Sequence, residues 1–175
     1  MGPRKVAHTA LYLAIAIVLP IGFHQFGLAG RVFSPMHIPV LICGLTAGVM
    51  PAVLVGLMAP LLSHLLTGMP PTYAVPLMTM ELAMYGLSAG LVYKWLKMNS
   101  EILRIYIALV LAMIVGRLAF ALGLFILGLF IEMPYGPAQF FAIGGAVMTG
   151  LPGIAVQLVI IPPLVAVIKR TTRPV

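Results

Sequence analysis

The sequence predicts an all-α membrane protein, a bundle of six transmembrane helices with both termini on the cytoplasmic side. Three observations carry this. First, the 175 residues are 62% hydrophobic and only 7% charged, where a soluble domain carries about 25% charged residues. Second, the mean hydropathy is +1.17. Third, nearly every residue falls in an apolar run or the short turn beside it, with runs at about 6–26, 37–50, 51–67, 75–95, 103–131 and 143–168. That leaves one integral membrane domain over residues 1–175 and no room for a sizeable second one.

The first run, within "MGPRKVAHTALYLAIAIVLP", has the charged start and apolar middle of a signal peptide, and "GLAG" at 27–30 passes for a cleavage site. It is read here as the first membrane helix. The second and third runs are shorter than the roughly 20 residues that cross a ~30 Å hydrocarbon core. They meet at "GVMPAV", where Pro51 lacks an N–H and so favours the first turn of a new helix. Two short spans or one broken segment are both compatible with that junction.

Charge parity decides between them. Arg4 and Lys5 precede the first run, Lys94, Lys97 and Arg104 lie between the fourth and fifth, and Lys169, Arg170 and Arg173 follow the sixth. With six spans these eight cations share one side, the cytoplasmic one by the positive-inside rule, and only Arg31 faces out. With five, the N-terminal pair is on the wrong face. The net charge of +7 is thus placed for a bilayer and not for nucleic acid.

Three nearly uncharged, proline-rich connections then fall on the outer side: "SPMHIPV" at 34–40, "LTGMPPTYAVP" at 66–76 and "EMPYGPAQFFAIGG" at 132–145. Loops commonly carry function, so binding is expected at the outer face. Pro35 keeps Ser34 out of helical geometry while Pro39 suits a first helical turn, which places His37 at the external membrane boundary.

Polar groups inside a bilayer are costly and mark candidate sites. The chain has no Asp and three Glu, of which only Glu81 is clearly embedded. In "MTMELAMYGLSAG" the spacing puts Met78, Glu81, Tyr85 and Ser88 on one helical stripe. Arg117 falls near the middle of the fifth run and Gln157 near the middle of the sixth, with Thr149 on a similar face. Two readings of these groups stand side by side. Glu81 and Arg117 form an ion pair within the bundle and Gln157 an interhelical hydrogen bond; or all three converge on a site for a small organic ligand. His64, near the outer end of the third run, divides evenly between pocket and packing.

Small residues mark another surface. Ala7, Ala10 and Ala14 share a face of the first helix, giving an A-x-x-x-A in "ALYLA", and "GLTAG" and "GLSAG" recur at 44–48 and 86–90. Such faces let helices approach closely. No phosphate-binding Gly-rich loop, metal-spaced Cys/His cluster or pair of embedded carboxylates occurs, so an enzyme is disfavoured and no metal site is expected. The lone Cys43 reads as a small buried residue.

Taken together, "ALYLA", "PMHIPVLICGLTAG" and "TGLPGIAVQLVIIPPLV" in a small six-helix frame resemble the substrate-binding S components of energy-coupling factor (ECF) transporters, the vitamin-importing branch of the ABC systems. The resemblance implies capture of a water-soluble vitamin or precursor near the outer face of a prokaryotic plasma membrane. It implies docking through the helix 1 alanines (here Ala10 and Ala14 match) onto a transmembrane T component driven by two cytoplasmic ATPases, with no cofactor held by this chain. The "MHIP" stretch looks most like members assigned to pantothenate, hydroxymethylpyrimidine or pyridoxine-like compounds. Arg117 suits a carboxylate, Glu81 a ring amino or hydroxyl group, and the choice stays open. A stand-alone secondary transporter or channel for a small organic solute is the alternative, with Glu81 as its only embedded acid.

Overall fold

A computed structural model describes residues 2–24, 35–141, 148 and 150–172. Among these the regular structure is entirely helical: α1 (Pro3–His24), α2 (His37–Thr46), α3 (Val49–Thr67), α4 (Ala74–Trp95), α5 (Glu101–Gly128), α6 (Pro137–Phe141) and α7 (Leu151–Thr172). Five of them, α1, α3, α4, α5 and α7, are long and apolar enough to cross a membrane. The chain is a multi-pass helical membrane protein.

Local chemistry sets the ends. Ser100 caps α5, its hydroxyl accepting from the Leu103 N–H at 3.4 Å, and Glu101 puts an acid in the positive first turn. The end of α3 is closed by Gly68 at φ +72°, whose N–H returns to the His64 carbonyl. Between α2 and α3 the chain turns at Gly48, with φ +99°, a conformation other residues rarely adopt. The expected boundary at Pro51 therefore shifts: α2 stops at Thr46 instead of 50, and Pro51 sits inside the first turn of α3.

The second expected span departs furthest from expectation. With 10 residues, α2 is about 15 Å long at ~1.5 Å per residue, half of a ~30 Å hydrocarbon core. Eight of its ten residues are buried, and it packs against α1, α3, α4, α5 and α7. It is the central strut of the bundle. The sixth expected span begins at Leu151 in the described helix, and residues 142–147, where it was expected to start, lie outside the described residues. The outer connection 132–145, expected to be irregular, contains α6, which seats Phe140 against Phe120 of α5 in a stack with centroids 4.7 Å apart.

The contacts fix helix directions. A Cβ on Gly56 would meet the Leu82 backbone, one on Gly86 the Ala52 backbone, and one on Gly90 Val49, so α3 and α4 are antiparallel and nearly touching. Gly44 of α2 lies against Ala89 and Gly90 while His37 lies against Glu81, so α2 runs parallel to α4. Arg117 meets Glu81 and Arg104 meets Tyr93, making α5 antiparallel to α4. Lys169 at the end of α7 reaches the Tyr93 ring near the end of α4, so these two helix ends lie together. The two glycine motifs thus serve internal packing.

Candidate functional site

The stripe on α4 delivers its polar groups to the blunt start of α2. Glu81 is 2% exposed, seven residues into α4, about 10 Å along its axis. Three side chains converge on its carboxylate. Arg117 Nη1 of α5 lies 3.0 Å from Oε1, His37 Nε2 of α2 lies 3.4 Å from Oε2, and the Tyr85 hydroxyl donates to Oε1 at 3.2 Å. Tyr85 also meets the His37 ring edge-on, centroids 5.1 Å apart. Tyr85 fits because α5 has a glycine opposite: a Cβ on Gly116 would fall 2.6 Å from the ring Cε1.

His37 is therefore not at the external boundary. It is 4% exposed and level with Glu81, well inside the bundle. The prolines around it shape the helix start, but the depth comes from the packing of α2 on α4, seven residues further on at Gly44. The structure brings together Glu81, Arg117, Tyr85 and His37, one group or more from each of three helices.

The other expected site residues distribute as follows. Gln157 is 4% exposed. It lies on α7, twelve residues before Lys169, as Glu81 lies twelve before Tyr93 on α4. Met78 is half-buried one turn above Glu81 and packs against both apolar clusters of the protein. Ser88, on the same stripe, donates to the Met84 carbonyl of its own helix and takes no part. Thr149 lies outside the described residues.

His64 does not join the cluster. Its Nδ1 donates to the Pro70 carbonyl at 2.7 Å while the neighbouring Ser63 hydroxyl donates to the Met69 carbonyl at 2.8 Å, so the pair ties down the turn after α3. It also lines an apolar groove of about 670 Å³ between α3, α4 and α5, with Leu61, Val75 and Leu127. Ala7, Ala10 and Ala14 are exposed, on a face of α1 that no other described helix covers, while Ala16 on the opposite side is buried.

Sequence reading found the charged partners but missed Gly116, whose signal is the small residue directly before Arg117 in "MIVGRLAF". It also left open whether Glu81 and Arg117 touch. They do, and the Arg117 Nε–H, buried, has no hydrogen-bond partner among the described residues. Among those residues no group of three or more His, Cys, Asp or Glu gathers as a metal centre would.

An acid, a guanidinium, an imidazole and a phenol sunk together in a multi-pass bundle are costly groups that mark a candidate site. A family model for the ECF transporter substrate-specific component matches residues 4–165, and the chain belongs to that family. It is a family of substrate-binding transport components and not of enzymes, and it works with T and ATPase partners. Searches of curated proteins and of solved structures found no match.

Proposed function

We propose that this chain captures a small water-soluble vitamin or vitamin precursor from the outer face, in a site built on Glu81, Arg117, Tyr85 and His37, with Met78 one turn away on α4 and Gln157 buried on α7. The observation that carries the reading is the Glu81–Arg117 pair, 3.0 Å apart and buried at the level where α2 begins. Because the two charges offset one another, the pair presents hydrogen-bonding groups with little net charge. That supports an uncharged, ring-bearing compound of the hydroxymethylpyrimidine or pyridoxine type over pantothenate, whose carboxylate would have to compete with Glu81 for Arg117. The free Nε–H of Arg117 is a donor such a ring can use.

In the same reading the whole chain is a single membrane domain whose α2–α3 hairpin completes six passes, with both termini cytoplasmic. The exposed alanines Ala7, Ala10 and Ala14 form the docking face for the T component, and two cytoplasmic ATPases supply the energy. Their exposure supports this, since small residues left uncovered within the chain suit a helix of a partner. Changing Ala10 and Ala14 together to Trp is expected to leave ligand binding within about twofold and to abolish ATP-dependent uptake in proteoliposomes holding the full transporter, because no described helix packs on them. Unchanged uptake removes the docking role.

The direct test is a thermal-shift and native mass-spectrometry screen of the purified protein against water-soluble vitamins and their precursors. A stabilising ligand is expected among the uncharged ring compounds, and at a hundredfold excess over its Kd it adds about 2.7 kcal/mol of stability. Stabilisation by pantothenate alone overturns the preference for an uncharged guest. Transport of solute by this chain alone in liposomes, without ATP, overturns the importer reading in favour of a secondary transporter.

A further inference from the structure

At the end of the bundle opposite the α2 start, α4 and α7 finish and α5 begins around Tyr93. Two cations lie over its ring, the Arg104 guanidinium carbon 3.9 Å and the Lys169 ammonium 3.3 Å from the centroid. Arg104 Nε donates to the Tyr93 carbonyl at 2.7 Å and the Tyr93 hydroxyl donates to Glu101 at 3.2 Å. This clasp fixes Lys169 and Glu101 on two walls of a cavity of about 320 Å³ between α5 and α7, whose remaining lining is Ile102, Ile105, Ala166 and Arg170. Arg170 is exposed, and its side chain has no partner among the described residues.

The lining is divided by chemistry. Two cations and one carboxylate stand at the helix ends, and three apolar side chains continue towards the span. Lys94 and Lys97 add positive charge on the same end, and Trp95 is 71% exposed beside them, as side chains at a membrane–water boundary are. A solvated protein partner has no need of the apolar floor. A phospholipid uses all of it.

We propose that this cavity holds the headgroup of an anionic phospholipid. Arg170 and Lys169 take the phosphate as charge-assisted donors. Glu101 accepts from a headgroup hydroxyl, as phosphatidylglycerol offers, and the exposed Ile102 with Ala166 receives the start of an acyl chain, over a floor closed by the buried Ile105. Basic pockets between helix ends are suited to such headgroups. The site is independent of the vitamin site, some 18 Å away along α4 by the twelve residues from Glu81 to Tyr93.

The test is native mass spectrometry of the purified protein released from micelles doped equally with phosphatidylglycerol, phosphatidylethanolamine and phosphatidylcholine, with inorganic phosphate in a separate arm. Phosphatidylglycerol is expected to be retained preferentially. Arg170→Gln should lower that retention about fivefold, the factor for about one cation's worth of attraction at an anionic surface. Lys97→Gln removes the same charge outside the cavity and should change retention less than twofold. Both positions are exposed, and thermal unfolding of each variant confirms that it folds. Equal retention of the three lipids, equal losses in the two variants, or a phosphate adduct that displaces the lipid would each overturn the proposal.

Discussion

Arg117→Ala is expected to lower the stability of the detergent-solubilised protein by about 3–5 kcal/mol, because it leaves the Glu81 carboxylate buried without its main counter-charge. Glu81→Ala should do the same to Arg117, which loses its partner at 3.0 Å. Both variants are expected to lose ligand binding. Stability loss alone, however, would follow equally from a purely structural ion pair. The double variant Glu81→Met with Arg117→Met separates the two. Replacing both charges by apolar side chains of similar volume is close to neutral for folding, so the double variant should recover most of the lost stability. If the pair contacts the ligand, it should still fail to bind. Wild-type affinity in the double variant would assign the pair to structure alone and remove it from the site.

The second large effect concerns the α3–α4 contact. An added Cβ at Gly56 would stand 2.5 Å from the Leu82 carbonyl carbon and oxygen, and one at Gly86 would stand 2.7 Å from the Ala52 carbonyl. Backbone cannot turn aside as a side chain does, so Gly56→Ala forces the helices apart. Overpacking of this kind costs about 1–3 kcal/mol and sometimes more. Binding should fall as well, since α4 carries both Glu81 and Tyr85 on the far side of the same contact. Gly22→Ala in α1 is the control: among the described residues nothing lies within 4 Å of its Cβ, and its stability should be unchanged or slightly higher. Thermal unfolding and size-exclusion profiles of the three proteins check this. A Gly56→Ala variant as stable as the control would show that the α3–α4 spacing is not set by these glycines.

Much of this was legible in the chain. The apolar runs give the helices, and rarity picks out the buried charges, because a bilayer tolerates so few that each survivor has a partner or a purpose. Glu81 and Arg117 were identified that way, as was Tyr85 by its i,i+4 spacing. Depth was not legible. Pro35 and Pro39 shape the start of α2 locally, but only the distant contact of Gly44 with Ala89 and Gly90 places His37 beside Glu81 rather than at the surface. The α2–α3 break went to Pro51 because proline is the stronger local signal, whereas the positive φ is at Gly48. His64 looked equally suited to pocket and packing because the turn that its ring closes, 68–71, lies beyond its own helix.

The brevity of α2 bears on how the protein reaches its membrane. A run of ten helical residues is well below the ~17–25 that partition into lipid unaided. It must therefore enter joined to α3, as a hairpin folded at Gly48. Its buried faces stay unsatisfied until α4 is synthesised and docks Gly86 and Ala89 against them. Insertion of the α2–α3 hairpin, residues 37–67, is then tied to translation of residues 74–95, and truncation before that helix should leave a nascent product that quality-control proteases remove.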